Sequence, residues 1–227
     1  MKIGIIAALD CEMEKFCKDF GAVESKYFGI FEGNHAGHEV YICLAGVGKV
    51  NAAANTQRLI DLFGVDYIIN SGVAGCTSSE IGVCDIVISE KLTYHDFTPI
   101  DVLDKYSPYT SVFGADEKLV CLAEKACLAI KESEKDFDFR KGMIVTGDMF
   151  VSDSAVVARL RSEYNSLCTE MEGAAVAHVC VLNKVPFVVI RAMSDNADEE
   201  ADMSFEEMSA IAAKRASFVS AEIIANL

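Results

Sequence analysis

Short, almost purely apolar runs alternate along this chain with longer amphipathic stretches. Residues 2–8 form an apolar run without period-two alternation, which predicts a strand buried on both faces. Asp10, Glu12 and Glu14 follow, and Met13, Phe16 and Cys17 recur at helical spacing. Acids in a first helical turn suit the helix dipole. Residues 27–32 and 39–44 alternate around "GNHAG" and predict a hairpin. "AGVGKVNAAANTQRLIDLF" reads as a glycine loop feeding a helix, and "VDYIINSGVAG" and "VCDIVISEKLTYHD" read as strands. A helix is predicted from Asp116 to about Ile130, then strand and loop in "KGMIVTGDMFV" and a short helix in "SDSAVVARLRSEY". "LCTEMEGAAVAHVCVL" passes from strand into a helix whose expected buried stripe is Met171, Ala174, Ala175, His178, Val179 and Leu182. "VPFVVIRAMSDNADE" is strand then loop. Ser204 and Glu207 form a capping-box pattern that predicts the start of the last helix, with Met208, Ala212, Phe218 and Val219 on about one face.

Strands alternating with helices predict an α/β fold: one three-layer domain over residues 1–227, a central mixed sheet covered by helices. Ligands in such folds bind beyond the carboxyl ends of strands. The segments in that position are Ala8–Glu12, Gly46–Lys49, Gly72–Gly75, Thr146–Val151 with Glu170–Glu172, and Arg191–Asp195.

Composition narrows the partners. The 227 residues are 52% hydrophobic and carry a formal net charge of −15, which excludes a disordered chain and disfavours nucleic acid or an anionic membrane surface as partner. The nine cysteines are odd in number, without a C-x-x-C pair, and several lie in apolar runs. With no cleavage-site pattern after the first apolar run and no stretch near the length of a membrane span, the expectation is a cytoplasmic protein with reduced thiols. The histidines His35, His38, His95 and His178 are not arranged as metal ligands, so neither metal nor cofactor is expected.

Several familiar motifs fail. "AGVGKVN" lacks the spacing and hydroxyl of a phosphate-binding loop and the third glycine of a dinucleotide fingerprint, and no G-x-S-x-G occurs. What remains is a set of charged residues where strands end. Glu170 and Glu172 stand at a strand-to-helix change, and either alone reads most simply as a solvated acid at a helix start; two apart, they need not share a face. Arg191 and Asp195 close a strongly apolar strand, where a buried arginine demands partners and a structural ion pair competes evenly with a functional role. Phe150 follows a strand, and His178 reads as a core histidine.

Taken in order, "IGIIAALDCEME", "AGVGKVNAA", "INSGVAG", "YHD", "TGDMFV", "TEMEGAAVAHV" and "RAMSDNAD" with "MSFEEM" resemble the 5′-methylthioadenosine/S-adenosylhomocysteine nucleosidases of the purine nucleoside phosphorylase superfamily. The resemblance runs nearly end to end. It implies a mixed sheet extending toward a distorted partial barrel, and hydrolysis of the N-glycosidic bond of 5′-thioadenosines to adenine and a 5-thioribose, as in methionine salvage and removal of methyl-cycle product. By similarity, Glu12 is the base that activates water and Asp195 protonates adenine N7. Glu172 holds the ribose hydroxyls with Met171 against the sugar. Arg191 lies near Glu12 and the water, and Ser194 positions Asp195. Phe150 stacks on adenine, the Val151 backbone reads its edge, and Leu9, Val47 and Phe205 line the apolar part of the pocket. The resemblance also implies a homodimer in which the loop Phe97–Val102 completes a neighbouring site. Methylthioadenosine, adenosylhomocysteine, 5′-deoxyadenosine and aminodeoxyfutalosine differ in the 5′ group, which this loop and Asn196–Phe205 contact.

The alternative is phosphorolysis within the same superfamily. Phosphate needs several cationic donors. The first arginine here is Arg58, and Glu12 stands where related phosphorylases carry an arginine-bearing loop, so the pattern favours water. Some relatives have serine at the position of Val73, where a hydroxyl helps hold the water; this chain lacks it.

Overall fold

The computed structural model describes residues 1–195 and 201–227, and their side chains except over 201–207. In chain order the elements are β1 (Lys2–Ala7), α1 (Asp10–Asp19), β2 (Val23–Glu24), β3 (Ile30–His35), β4 (His38–Leu44), α2 (Lys49–Phe63), β5 (Tyr67–Cys76), β6 (Ile86–Tyr94), α3 (Val102–Lys105), β7 (Phe113–Gly114), α4 (Glu117–Ser133), β8 (Phe139–Thr146), α5 (Ser154–Tyr164), β9 (Ser166–Glu170), α6 (Gly173–Asn183), β10 (Phe187–Asp195) and α7 (Ala201–Ala225).

The apolar run at the amino end becomes β1, and Ile3, Ile5 and Ile6 are fully shielded from solvent. β1 pairs in parallel with β4 on one side and β5 on the other. Ile3 and Ile5 face a layer made by α1, α4 and α7, with Phe16, Leu119 and Ala212 in the same core. Ile6 faces the opposite layer, with Leu59 of α2 and Ala174 and Val176 of α6. This is the three-layer arrangement that a run buried on both faces requires.

Beyond β5 the sheet curls. β5 pairs in parallel with β10, β10 antiparallel with β6, β6 in parallel with β8, and β8 in parallel with β9. β9 then returns to β5 through Gly75–Thr169 and Cys76–Cys168, which closes a barrel at one end of the open sheet. The expected mixed sheet with a partial barrel is therefore present. Closure brings the ends of β5, β8, β9 and β10 round a common space beside the end of β1.

Local signals explain most boundaries. Asp116 caps α4 by accepting the Leu119 N–H at 3.0 Å, and Asp153 caps α5 through the Ala155 N–H at 2.7 Å. The hairpin is tighter than predicted: His35 pairs with His38, and Ala36 and Gly37 turn the chain with φ of 49° and 83°. Positive φ at both central residues matches the strand twist in a two-residue turn.

Two helix expectations need correction. The helix α7 is already under way at Ala201, so Ser204 lies inside it and is not its cap; Ala201, Asp202 and Met203 contain no breaker, and the helix propagates back through them. Of its expected face, Ala212 and Val219 are buried, while Phe218 is 46% exposed. In α6, Ala174 and Ala175 are buried as expected, but so are Val176, Ala177 and Cys180, and Leu182 is exposed. That helix is apolar all round and wedged between neighbours, so periodicity could not single out one stripe. The nine cysteines carry free thiols. Among the described residues, no helix is long and apolar enough to cross a membrane.

Candidate active site

The barrel opening holds a cavity of about 280 Å³. All five segments placed at strand ends by the sequence contribute to its wall. Leu9, Glu12, Val47, Val73, Phe150, Val151, Met171, Glu172, Arg191, Ser194 and Asp195 line it together. The remaining expected residue, Phe205, has a side chain outside the described residues.

Glu12 sits in the first turn of α1, at the end of β1, and is 3% exposed. Its Oε2 accepts the Ala8 and Leu9 N–H groups at 2.8 and 2.9 Å, and its Oε1 accepts the Val73 N–H at 2.9 Å. A side chain that caps its own helix start is thereby also tied to β5. Val73 contributes through its backbone, which any residue at that position could supply.

Arg191 is 1% exposed, and its guanidinium is met from three sides. Nη2 donates to Asn70 Oδ1 at 2.6 Å and Glu170 Oε2 at 2.5 Å, and lies 3.6 Å from Glu172 Oε2. Nη1 donates to the Val73 carbonyl at 3.3 Å. Burial disfavours its charge, but Glu170, Glu172 and Glu12 outweigh that and raise its pKa above the usual arginine value. A Cβ at position 72 would run into both Arg191 Nη1 and Glu12 Oε1, so Gly72 is what lets these two groups lie against the β5 backbone.

Glu170 was not among the predicted site residues, yet it organises the centre. It accepts from the Thr146 hydroxyl, from the Glu172 N–H at 3.0 Å and from the Gly173 N–H at 2.6 Å, besides Arg191. It thus satisfies the orphan donors at the start of α6. β9 ends at Glu170 and Glu172 is already the N-cap of α6, so no regular period along the sequence ties the two acids to one face. Asn70 was likewise not foreseen, while Thr146 and Met149 fall in the expected segment Thr146–Val151 without having been given a role.

Glu172 is the N-cap residue of α6 and is 4% exposed. Its Oε1 accepts the Gly48 N–H at 2.8 Å. Burial pushes its carboxyl up to about 7; Arg191 and the Gly48 N–H pull it down, while Glu170 and Glu12 add to the rise. The glycine loop therefore gives this N–H to a carboxylate, not to a phosphate. At the end of β10, Ser194 Oγ donates to Asp195 Oδ2 at 2.6 Å, and Asp195 is 2% exposed.

Phe150 and Val47 are about half exposed at the mouth, at 48% and 47%, whereas Val151 is buried. The segment Phe97–Val102 does not line this cavity. His178 lies outside it too: its Nδ1 is 3.2 Å from the Tyr94 hydroxyl and its ring stacks on Phe113 with centroids 5.0 Å apart. Among the described residues, no His, Cys, Asp or Glu group is arranged to hold a metal ion. The wall combines several buried carboxylates, one cation already engaged by two of them, and an apolar mouth with an aromatic ring. Such a site suits a neutral molecule on which positive charge develops.

Comparison with known proteins agrees with this geometry. Residues 2–225 match the family model described as the phosphorylase superfamily. A 5′-methylthioadenosine/S-adenosylhomocysteine nucleosidase of Bacillus cereus (strain AH187) is 40% identical, covering 91% of each chain. The crystal structure of the nucleosidase of that name from Neisseria meningitidis, in complex with methylthio-immucillin-A, superposes with a TM-score of 0.91 at 34% identity, over 100% of this chain and 99% of the other. A futalosine hydrolase of Helicobacter pylori superposes with a TM-score of 0.89 at 30% identity, over 100% and 98%. The chain belongs to the phosphorylase superfamily and, within it, to the 5′-methylthioadenosine/S-adenosylhomocysteine nucleosidase family.

Proposed function

We propose that this chain, acting as one unit over residues 1–227, hydrolyses the N-glycosidic bond of 5′-methylthioadenosine and S-adenosylhomocysteine. Water adds across the bond between C1′ and N9. Glu12 takes a proton from the attacking water, whose oxygen bonds to C1′. Asp195, held by Ser194, gives a proton to adenine N7 as the C1′–N9 bond breaks. Adenine and a 5-thioribose leave. Glu172 holds the ribose hydroxyls with Met171 beside the sugar, Phe150 stacks on the base, the Val151 backbone pairs with its edge, and Leu9 and Val47 line the apolar part of the pocket around the ribose and the 5′ substituent. Positive charge building on the sugar is stabilised by the surrounding carboxylates.

The observation that carries this reading is the tethering of Glu12 by three backbone N–H groups beside an Arg191 already engaged by Glu170 and Asn70. Among the described residues of the cavity wall Arg191 is the one cation, so a phosphate dianion would meet carboxylates there without a set of free donors. Water is the nucleophile this arrangement accommodates.

The free thiols fit a cytoplasmic setting. Phe97, Tyr106 and Tyr109 are 40%, 67% and 73% exposed, and such exposed aromatic rings suit a second copy of the chain that adds its Phe97–Val102 segment to the neighbouring site. The decisive experiment follows adenine release from methylthioadenosine in phosphate-free buffer, with light scattering for the dimer. Release that starts only on adding phosphate overturns the hydrolase, and a monomer active at every concentration overturns the shared site.

A further inference from the structure

Three segments that are far apart in sequence meet on one lysine at the rim of the cavity. Lys49 Nζ donates to both carboxylate oxygens of Asp96, at 2.7 and 2.6 Å, and lies 3.6 Å from Asp148 Oδ2. Backbone bonds complete the junction. The Lys49 N–H donates to Asp148 Oδ1 at 2.8 Å, and the Asp148 N–H donates to Asp96 Oδ2 at 2.8 Å. Lys49 Nζ also stands 5.6 Å from the centroid of the Tyr94 ring.

None of these three side chains lines the cavity, but each adjoins residues that do or that hold one. Lys49 follows Gly48, whose N–H holds Glu172, and Val47 at the mouth. Asp148 precedes Met149, Phe150 and Val151. The contact between the two loops is close: Gly48 has φ 96°, and a Cβ there would lie 3.1 Å from Asp148 Oδ1. Exposed ion pairs between neighbours on a helix contribute little. This junction differs because the side chains of Lys49 and Asp96 are 23% and 28% exposed and backbone donors join the ions. Burial opposes the charge of Asp96, yet the Lys49 ammonium and the Asp148 N–H hold its carboxyl below the usual range.

We propose that Lys49, Asp96 and Asp148 form a clasp that fixes the loop carrying Phe150 and Val151 against the loop that holds Glu172, which makes Lys49 a positioning residue for base and sugar together. The inference rests on the nucleosidase reading of the cavity. It explains why a lysine directly after a glycine loop serves no phosphate: its charge is spent on two aspartates.

The test compares Lys49→Met, Asp96→Asn and Lys49→Arg with the parent in adenine release from methylthioadenosine, alongside amide hydrogen exchange of residues 147–151 in the ligand-free protein. Small displacements of positioned groups cost up to about 10²-fold in rate. Lys49→Met and Asp96→Asn should each lose about tenfold or more in kcat/KM, and KM should carry a large share of the loss because base contacts form in the ground state. Exchange in 147–151 should quicken. The double variant should lose no more than either single one, since the pair acts as one unit. Lys49→Arg should recover most of the activity. Folded Lys49→Met protein with kcat/KM within twofold of the parent and unchanged exchange overturns the clasp. Should Lys49→Met fail to fold, the same readouts on Asp96→Asn and Asp148→Asn decide. A parent protein that releases no adenine overturns the nucleosidase reading instead, and the exchange comparison separates that failure from failure of the clasp.

Discussion

Arg191 and Glu170 form an ion pair closed to solvent: Nη2 and Oε2 are 2.5 Å apart, and the side chains are 1% and 2% exposed. Water cannot take over for either partner. The same Glu170 oxygen accepts from the backbone N–H groups of Glu172 and Gly173, so the ion pair, the start of α6 and the cavity carboxylate Glu172 stand or fall together. Breaking a buried pair by removing one partner typically costs about 3–5 kcal/mol. Arg191 would keep Asn70 and a longer contact to Glu172, so Glu170→Gln should lose about 3 kcal/mol, read from urea unfolding midpoints. An unchanged midpoint would show that the pair contributes nothing net.

Glu172 makes stability depend on pH. Its folded carboxyl is raised from 4.5 to about 7, chiefly by burial. An acid with a raised folded pKa binds more protons folded than unfolded between those values, so its contribution is fully present below about 4.5 and lost as pH rises through about 7. The loss is at most about 3 kcal/mol, at 1.36 kcal/mol per pKa unit. Glu172→Gln cannot ionise. Its unfolding midpoint relative to the parent should therefore rise on going from pH 5 to pH 8. A parent-to-variant difference that stays level across that range would contradict the buried, proton-retaining carboxyl.

Glu12→Gln should separate chemistry from binding. The amide keeps the shape of the side chain but cannot take a proton from water, and its NH₂ faces donors where the carboxylate accepted the Ala8, Leu9 and Val73 N–H groups. Loss of a placed general base typically costs about 10²–10⁴-fold in rate. Adenine is proposed to lie against Phe150 and Asp195 and not against Glu12, so adenine affinity by calorimetry should change little. Turnover within a few-fold of the parent would remove Glu12 from its role.

Much of this architecture was legible in the chain. The apolar run at 2–8 declared a strand buried on both faces, and Asp116 marked a helix start that the structure caps with that side chain. The segments that line the cavity could be named because strand ends are where α/β folds bind ligands. What stayed hidden depends on pairing between distant segments. Closure of the barrel through Gly75 and Thr169 has no local signature, and Glu170 reads as one more acid until β9 is seen beside Arg191 of β10. The α6 stripe failed for a different reason: with apolar residues on every side, no period marks a face.

Gly72→Ala tests how tightly the two charged groups are packed on β5. Strand residues usually tolerate a methyl group, and alanine lowers the entropy cost of ordering a glycine by roughly 0.5–1 kcal/mol. Here the added Cβ would strike Arg191 Nη1 and Glu12 Oε1, with Glu12 Cδ at 3.0 Å. Neither neighbour is a free chain end. Glu12 is tied by three N–H groups and Arg191 by Asn70, Glu170 and the Val73 carbonyl, so relief requires breaking charged hydrogen bonds, each typically contributing about 1.5–3 kcal/mol. The clash should outweigh the entropic gain. The expected outcome is a fall in both unfolding midpoint and kcat, with the proposed adenine site less affected than the proposed water site, so that adenine still binds. A stabilised, fully active Gly72→Ala protein would mean that the guanidinium and the carboxylate have room to retreat, and that their contact with the β5 backbone is incidental to holding the water.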